Sequence, residues 1–328
     1  MKILVTGGAG YIGSHTVLCL LESGFEVVVL DNLCNSKAEA VKRVEQISRK
    51  HITFIRGDIR DTLILDKVLS EHEIGGVIHF AALKAVGESA DIPLSYYDNN
   101  VHGSICLLKS MIKHGVNNFI FSSSATVYGE QNLAPYTEKM QFGKATSPYG
   151  STKIIVELII KDIMATHKNF KGVSLRYFNP IGAHESGMIG EDPNGVPNNL
   201  IPYVSQVAVG KLKQLSIFGN DYPTHDGTGV RDYIHVVDLV QGHLKALQAL
   251  ESVTFKTGGC KAYNLGTGKG YSVLDIIHAF EEITHKKINY QFVPRRSGDI
   301  AENYANPALA LKELGWRTEK NLQDMVTD

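Results

Sequence analysis

A tyrosine and a lysine in the stretch SPYGSTKIIVE, residues 147–157, have the chemical types and the spacing to move a proton. Tyr149 and Lys153 stand four residues apart, behind a Ser-Pro pair that is typical of a helix entrance. At about 3.6 residues per turn, the two side chains lie on one helix face within contact reach. A neighbouring ammonium favours the phenolate form of a tyrosine. The pair therefore indicates a proton-abstracting base, and the alternative is an unrelated exposed pair.

A phenol that acts as a base near neutral pH needs more than one positive charge beside it. Lowering its pKa from about 10 to near 6–7 takes about 4–5 kcal/mol of differential stabilisation. One lysine supplies too little of this stabilisation, so we expect a second cation beside Tyr149.

Six apolar runs predict the strands of the fold that must position Tyr149 and Lys153. They are nearly continuous in apolar character, which is typical of parallel strands buried on both faces. Residues at helical spacing lie between them in 11–24, 94–115 and 149–167. This alternation predicts an α/β protein with a doubly wound parallel sheet of the Rossmann kind. The predicted strands are 2–7, 25–31, 52–58, 76–82, 118–124 and 173–179.

The regular alternation ends near residue 180. Loops that carry proline and glycine then dominate, as in 185–199 and 218–232. We therefore expect a Rossmann domain over residues 1–180 and a smaller C-terminal α/β domain over 181–328 that binds the substrate. Some chain around 233–265 is expected to return to the first domain.

The stretch VTGGAGYIG follows the first predicted strand and opens the first predicted helix. Glycines such as Gly7, Gly10 and Gly13 are needed where the backbone turns tightly and approaches a pyrophosphate, which the helix N-terminus then binds. Asp31 ends the second strand, where an acid accepts hydrogen bonds from ribose hydroxyls and selects NAD over NADP. Asp31 could instead be a cap or turn residue. Asp58, which ends the third strand, either contacts the adenine or caps the next helix.

Three serines, Ser122, Ser123 and Ser124, end the fifth predicted strand, at the sheet edge where ligands bind in open α/β folds. A hydroxyl from this edge can meet Tyr149 and Lys153 over the nicotinamide of NAD. The positively charged ring then serves as the second cation that the phenol requires.

Composition excludes several other classes of function. The 328 residues carry a formal net charge of −1, so no global field attracts nucleic acid or an anionic membrane. No run of 18 apolar residues and no signal-peptide pattern is seen, and the four cysteines are scattered. We therefore expect a cytoplasmic protein without a metal site. His79 and His235 lack a second ligand at metal spacing and are expected to pack or to form hydrogen bonds.

The motifs GGAGYIG, SSSATVYG and YGSTK, together with Asp31, resemble the extended short-chain dehydrogenase/reductase family. Within it, further stretches resemble the enzymes that epimerise UDP-hexoses at carbon 4, and they cover essentially the whole chain in order. These stretches are DNLCNS, HFAALKAVGES, YYDNN, RYFNPIGAH, GEDPNGVPNNL, IFGNDYPT, DGTGVRDYIHV, YNLGTG and RRSGD.

This resemblance implies a role for each matching residue. Tyr149 would take the proton of the hexose 4-hydroxyl while hydride leaves carbon 4 for NAD, Lys153 would bind the nicotinamide ribose and hold the phenol pKa down, and Ser124 would bind the 4-oxygen. The implied NAD site comprises Gly7, Gly10, Tyr11, Ile12, Gly13, Asp31, Asn32, Asp58, Ile59, Phe80, Ala81, Lys84, Asn99, Ser122, Tyr149, Lys153, Tyr177 and Phe178. The implied UDP-sugar site comprises Ser124, Tyr149, Asn179, Asn199, Leu200, Phe218, Arg231, Arg296, Asp299 and Asn303.

The chemistry of the implied UDP-sugar site is sound, because a diphosphate favours arginine donors and uracil favours an aromatic or apolar wall. Alternatives stay open for four of its residues. Asn179 and Asn199 could be turn residues beside prolines. Arg231 and Arg296 could form surface ion pairs with Asp232 or Asp299.

Two other functions compete with epimerisation. A nucleotide-sugar 4,6-dehydratase of the same family would resemble this chain but carry Asp-Glu after the serine, where Ala125 and Thr126 stand here. A catalytically silent NAD-binding module need not keep both Tyr149 and Lys153.

Two further expectations follow from the resemblance. Asn303 aligns with a position that gates sugar size, and because asparagine is smaller than tyrosine, a 2-acetamido group should be tolerated; the alignment could slip to Glu302 or Tyr304. The helices around 94–115 and 149–167 resemble those that form the family's homodimer, and a monomer is the alternative.

Overall fold

The structure, a computed structural model, describes residues 1–192, 197, 199–251, 255, 258–296 and 298–328. Parts of GEDPNGVPNNL, of RRSGD and of the expected return over 233–265 lie outside these described residues.

The strands follow the predicted apolar runs in the first half and continue into the second. In chain order they are β1 (Lys2–Thr6), β2 (Glu26–Asp31), β3 (Thr53–Arg56), β4 (Ile74–His79), β5 (Asn118–Ser124), β6 (Lys171–Tyr177), β7 (Asn179–Ile181), β8 (Leu215–Phe218), β9 (Val230–His235), β10 (Gly259–Leu265), β11 (Gly270–Ser272), β12 (Tyr290–Val293) and β13 (Glu302–Asn303).

The helices alternate with the strands of the first half and recur in the second. They are α1 (Tyr11–Glu22), α2 (Ala38–Ser48), α3 (Thr62–Glu71), α4 (Val86–Asp91), α5 (Pro93–Tyr96), α6 (Gly103–Lys113), α7 (Pro148–Thr166), α8 (Leu200–Ala208), α9 (Val236–Leu250), α10 (Val273–Thr284), α11 (Ala308–Leu314) and α12 (Leu322–Thr327). A π-helical turn spans Tyr97–His102 and a 3₁₀ turn spans Ala125–Tyr128.

Seven strands form one parallel sheet in the order β10-β6-β5-β4-β1-β2-β3. Alternate residues of β1 face opposite layers: Ile3 and Val5 belong to the core beneath α1 and α9, and Leu4 to the core beneath α3, α6 and α7. The predicted doubly wound α/β fold is thereby confirmed. The strand order reverses between β1 and β4, which is the position where such sheets bind ligands at their carboxyl ends.

The second half holds a four-stranded sheet around β9, formed with β7, β11 and β13, and a pair of β8 with β12. It also contains helices α8 to α12, of which α9 packs against α1. Strand β10 joins the large sheet beside β6. The division at residue 180 stays a prediction.

The helix expected over 94–115 is present as an unbroken helical stretch over 93–113, but its middle is π-helical. The chain forms α5, then the π-helical turn, then α6. This turn buries Asn99 and Asn100, and Asn100 holds the backbone of Leu83 through its amide oxygen (2.8 Å to N) and nitrogen (2.9 Å to O). Single π-turns within α-helices are frequent at functional sites. Among the described residues, no helix has the length and apolar character needed to cross a membrane.

Candidate active site

Helix α7 and strand β5 bring the tyrosine, the lysine and the serines together. The helix begins at Pro148 because Ser147 caps it, accepting a hydrogen bond from the backbone N–H of Gly150 at 3.2 Å. Lys153 is buried, with 3% of its surface exposed, and its Nζ donates to the backbone carbonyl of Ser122 at 2.7 Å. The same Nζ lies 5.6 Å from the centre of the Tyr149 ring.

Burial is the largest influence on the pKa values of both Lys153 and Tyr149. It lowers the pKa of Lys153 to about 7, with the negative charge of Glu157 acting in the opposite direction. Burial also raises the pKa of Tyr149, and hydrogen bonding to Ser124 partly offsets this rise. A low phenol pKa therefore needs a positive charge beyond those of the chain, as the sequence suggested.

The glycine loop between β1 and α1 has the shape of a pyrophosphate cradle. Gly7 has a φ of +71°, and a Cβ there would lie 2.7 Å from the backbone nitrogen of Ala81. A Cβ on Gly13 would lie 2.2 Å from the carbonyl oxygen of Gly7. Gly10 immediately precedes helix α1, which begins at Tyr11. Because glycine has no side chain, Gly10 leaves the first N–H groups of the helix without a side-chain cap. The residues present fit a dinucleotide, because these N–H groups and the helix dipole favour an anionic ligand.

Asp31 lies beside this loop at the end of β2. Its Oδ2 accepts from the backbone N–H of Ala9 at 3.0 Å, while Oδ1 accepts from Leu33 N (2.9 Å) and Ser36 Oγ (2.8 Å). The carboxylate thus takes part in a turn and also contacts the glycine loop. Its role toward a ribose stays a prediction.

Asp58 does not cap the helix that follows it. Asp61 caps α3 instead, accepting from the N–H groups of Leu63 and Ile64 at 3.0 and 3.2 Å. Asp58 accepts from Asn32 Nδ2 at 3.0 Å and from Arg60, whose hydrogen bonds hold the pKa of this carboxyl well below its usual range. Asn32 and Asp58 therefore stand together at the ends of β2 and β3, close to Ile59.

The implied nicotinamide side is assembled from three neighbouring strands. Phe80 follows β4, donates its backbone N–H to Thr6 O at 2.9 Å and packs on His243, with ring centres 4.9 Å apart. Tyr177 ends β6, and its hydroxyl lies 2.8 Å from Nε2 of the same histidine. Burial raises the pKa of Tyr177, with Ser122 opposing this rise through a hydrogen bond. Phe178 is also buried.

Four of the implied substrate residues form one cluster in the second half. Asp299 accepts from Arg231 Nη2 at 2.9 Å and from Arg296 Nε at 3.1 Å, and the Arg296 guanidinium lies 4.8 Å from the centre of the Phe218 ring. One carboxylate between two guanidiniums leaves a net positive charge beside an aromatic wall. The alternative considered for the two arginines is met in part, because both form ion pairs with Asp299. Arg231 does not pair with Asp232, which is buried and accepts from Thr267 and from backbone N–H groups.

The remaining implied residues lie at the starts of elements or beside Glu191. Asn179 opens β7, and Leu200 opens α8. Asn199 and Lys84 both donate to Glu191. Within the described chain, the buried Oδ1 of Asn303 has no hydrogen-bond partner.

A buried polar network behind the serines was missed. Glu157 accepts from Ser123 Oγ at 2.5 Å and forms an ion pair with Arg176, whose Nη2 lies 2.7 Å from Oε2. Arg176 also donates to the hydroxyl of Tyr128 at 3.1 Å. The signal for Glu157 was its place one helical turn beyond Lys153, on the same face of α7.

The histidines considered in the sequence make hydrogen bonds within the protein. His79 lies between Thr6 Oγ1 (2.7 Å) and Ser104 Oγ (3.0 Å), and His235 Nδ1 accepts from the backbone N–H of Val237 at 3.0 Å. A separate surface group of His225, Asp226 and Asp275 places its ligand atoms within 4.8 Å of one another. All three residues belong to the second half of the chain.

Comparison with known proteins extends these observations over the whole chain. The sequence model of the family described as GDP-mannose 4,6 dehydratase matches residues 4–328. A UDP-glucose 4-epimerase of Haemophilus influenzae is 60% identical over 328 residues, which are 100% of this chain and 96% of that protein. A UDP-glucose 4-epimerase of Bacillus subtilis is 58% identical over 100% of this chain and 95% of its own.

Solved structures agree with the sequence relatives. The UDP-glucose 4-epimerase of Stenotrophomonas maltophila, with bound NAD and formylated UDP-arabinopyranose, superposes with a TM-score of 0.96 at 50% identity over 100% of this chain and 96% of that chain. The enzyme of Bifidobacterium longum, in complex with NAD+ and UDP, has the same TM-score and identity over 99% and 96%. With full-length identity at this level, the chain belongs to the UDP-glucose 4-epimerase family.

Proposed function

We propose that this protein interconverts UDP-galactose and UDP-glucose, using NAD that stays bound between turnovers. The observation that supports this most directly is the convergence of Tyr149, Lys153 and Ser124 at the carboxyl end of β5, next to the point where the strand order reverses. Such an edge is where a parallel sheet holds its ligands.

The glycine loop, Asp31 and the residues after β3 and β4 would hold the cofactor. NAD bound there supplies a reversible acceptor for the hydride of hexose carbon 4. The other residues of this proposed cofactor site are Tyr11, Ile12, Asn32, Asp58, Ile59, Phe80, Ala81, Lys84, Asn99, Ser122, Tyr177 and Phe178.

The chain's own residues would handle the proton and the geometry. Tyr149 takes the proton from the 4-hydroxyl and later returns it, Ser124 hydrogen-bonds the same oxygen, and the buried Lys153 ammonium favours the phenolate. Inversion requires the 4-keto sugar to present its other face before hydride returns. We therefore infer a firm grip on UDP by Arg231 and Arg296 and a weaker hold on the hexose.

The first test is NMR of the purified protein mixed with UDP-galactose and without added NAD. Formation of UDP-glucose is the expected result, and it would mean that NAD came through purification with the protein. Tyr149→Phe should keep the bound NAD and lose turnover. No conversion even after NAD is supplied would overturn the proposal. A 4-keto-6-deoxy product would instead favour the dehydratase, which Ala125 and Thr126 argue against.

We further infer that UDP-N-acetylgalactosamine is accepted. The buried Oδ1 of Asn303 has no partner among the described residues, and the N–H of a 2-acetamido group is a donor that would satisfy it. Asn303→Tyr should abolish turnover of the N-acetyl sugar while UDP-galactose is still converted. Equal loss of both activities would contradict a gate at this position.

We also propose a cytoplasmic homodimer. Leu94 on α5 is 82% exposed and Leu158 on α7 is 43% exposed, so apolar surface is available on the helical segments expected to pair. The four cysteines are unpaired, which suits a reducing compartment. Sedimentation at micromolar concentration would distinguish the dimer from a monomer.

A further inference from the structure

Glu191 lies between two residues from opposite sides of the proposed site. Its Oε1 accepts from Lys84 Nζ at 3.0 Å and from Asn199 Nδ2 at 2.6 Å. Lys84 follows β4 on the cofactor side, and Asn199 precedes α8 on the substrate side. Only 11% of the Glu191 side chain is exposed. One carboxylate oxygen therefore joins the two sides.

Glu191 belongs to a segment that lies across the cofactor half of the protein. We call residues 182–192 the strap. Tyr11 of the glycine loop donates its hydroxyl to Gly182 O at 2.5 Å, and Arg43 of α2 donates to Met188 O at 2.9 Å. Ile189 is buried in the core that α1 and α9 share. The strap is thus held against the very elements that surround the glycine loop.

The contacts along the strap differ in strength. Asp192 pairs with Lys37, but the two side chains are 74% and 53% exposed, and such pairs contribute little. Glu191 is shielded and accepts two hydrogen bonds, one of them from a charged donor, which is the stronger kind. Its charge also reaches the glycine loop: burial and then Glu191 raise the pKa of Tyr11. Glu191 is therefore the contact whose loss should loosen the strap most.

We propose that Glu191 is a positioning residue that holds the strap closed over bound NAD and fixes the positions of the Lys84 and Asn199 side chains. It acts through those two residues and takes no proton from the substrate. This inference rests on the proposed function, because an epimerase must keep the reduced cofactor in place until hydride returns. The physical consequence is slow exchange of the cofactor with solution.

The test compares Glu191→Gln with the matched control Asp192→Asn in the NAD-loaded protein. Glutamine keeps the shape and removes the charge, and Asp192 is the next residue of the same strap. Each protein is incubated with isotopically labelled NAD, and the label retained after gel filtration is measured by mass spectrometry. We expect exchange at least about tenfold faster in Glu191→Gln, as loss of one charge-assisted contact predicts. Asp192→Asn should stay within about twofold of the wild type.

Hydrogen exchange supplies a readout that a general loss of stability would not reproduce. Amides of the strap should exchange faster in Glu191→Gln while those of β1 and β5 keep wild-type protection. Equal NAD exchange in the wild type and Glu191→Gln, or equal acceleration by both variants, would overturn the role of Glu191. If the wild type retains NAD and converts UDP-galactose, such a result overturns only the role of Glu191 and leaves the proposed function standing. If the wild type holds no NAD, both the proposed function and the role of Glu191 are overturned.

Discussion

Lys153 Nζ donates a 2.7 Å hydrogen bond to the backbone carbonyl of Ser122, and this bond joins helix α7 to the carboxyl end of β5. The ammonium is otherwise surrounded by the Phe121 and Tyr149 rings, at 4.9 and 5.6 Å. The lysine is therefore held by the strand that carries the serines. This contact sets where its charge lies relative to the phenol.

Lys153→Met should lower kcat for UDP-galactose by about 10²-fold or more, because the phenol loses the buried charge that favours its ionised form. Steady-state kinetics at saturating substrate would measure this. Lys161→Met, at an exposed position of the same helix, should leave kcat unchanged. A Lys153→Met enzyme within threefold of the wild type would contradict the role given to the ammonium.

Gly13→Ala should empty the cofactor site. The new methyl group would meet the Gly7 carbonyl at 2.2 Å, so the loop must shift away from the shape that fits a pyrophosphate. NAD released by acid and measured by absorbance should fall below one-tenth of the wild-type amount. Gly87→Ala, where a Cβ meets nothing within 4 Å, is the control and should retain NAD.

Two adjacent arginines should differ sharply in their effect on UDP binding. Arg296 lies over Phe218 and beside Asp299, whereas Arg295 pairs with Asp221 at 2.7 Å on the surface. Arg296→Ala should weaken the affinity for UDP by about tenfold or more, since a hydrogen bond to a charged group contributes about 1.5–3 kcal/mol. Titration calorimetry would compare it with Arg295→Ala; similar losses in both variants would argue against a diphosphate beside Arg296.

Acid should destabilise the protein through its buried neutral histidines. Burial lowers the pKa of His79 to about 3 and that of His15 and His243 to about 4. Between the unfolded value of about 6.5 and these lower values, the unfolded chain binds more protons, so stability falls as pH falls. Each histidine contributes a slope of at most about 1.4 kcal/mol per pH unit.

His79→Gln, which can still hydrogen-bond with Thr6 and Ser104, should therefore reduce the loss of unfolding free energy between pH 7 and 5. Urea unfolding at both pH values measures the difference. An unchanged pH dependence in the variant would show that His79 is not a source of acid sensitivity.

Much of the fold and the core of the candidate site followed from local sequence patterns. β5 spans the predicted residues 118–124, and α7 covers the predicted 149–167 to within one residue. Strand and helix periods are properties of short windows, and the glycine loop and the Tyr149–Lys153 spacing are equally local. These features are therefore readable before any packing is known.

The contacts that complete the site depended on packing between distant parts of the chain. Asp299 meets Arg231 across 68 residues, and Glu191 meets Lys84 across 107. Neither separation has a period or a motif, since the partner is chosen by how the second half lies on the sheet. For the same reason the ionisation of Tyr149 and Lys153 could not be read from their spacing. Spacing put a cation next to a phenol, and burial, which only the tertiary structure decides, set the pKa of both.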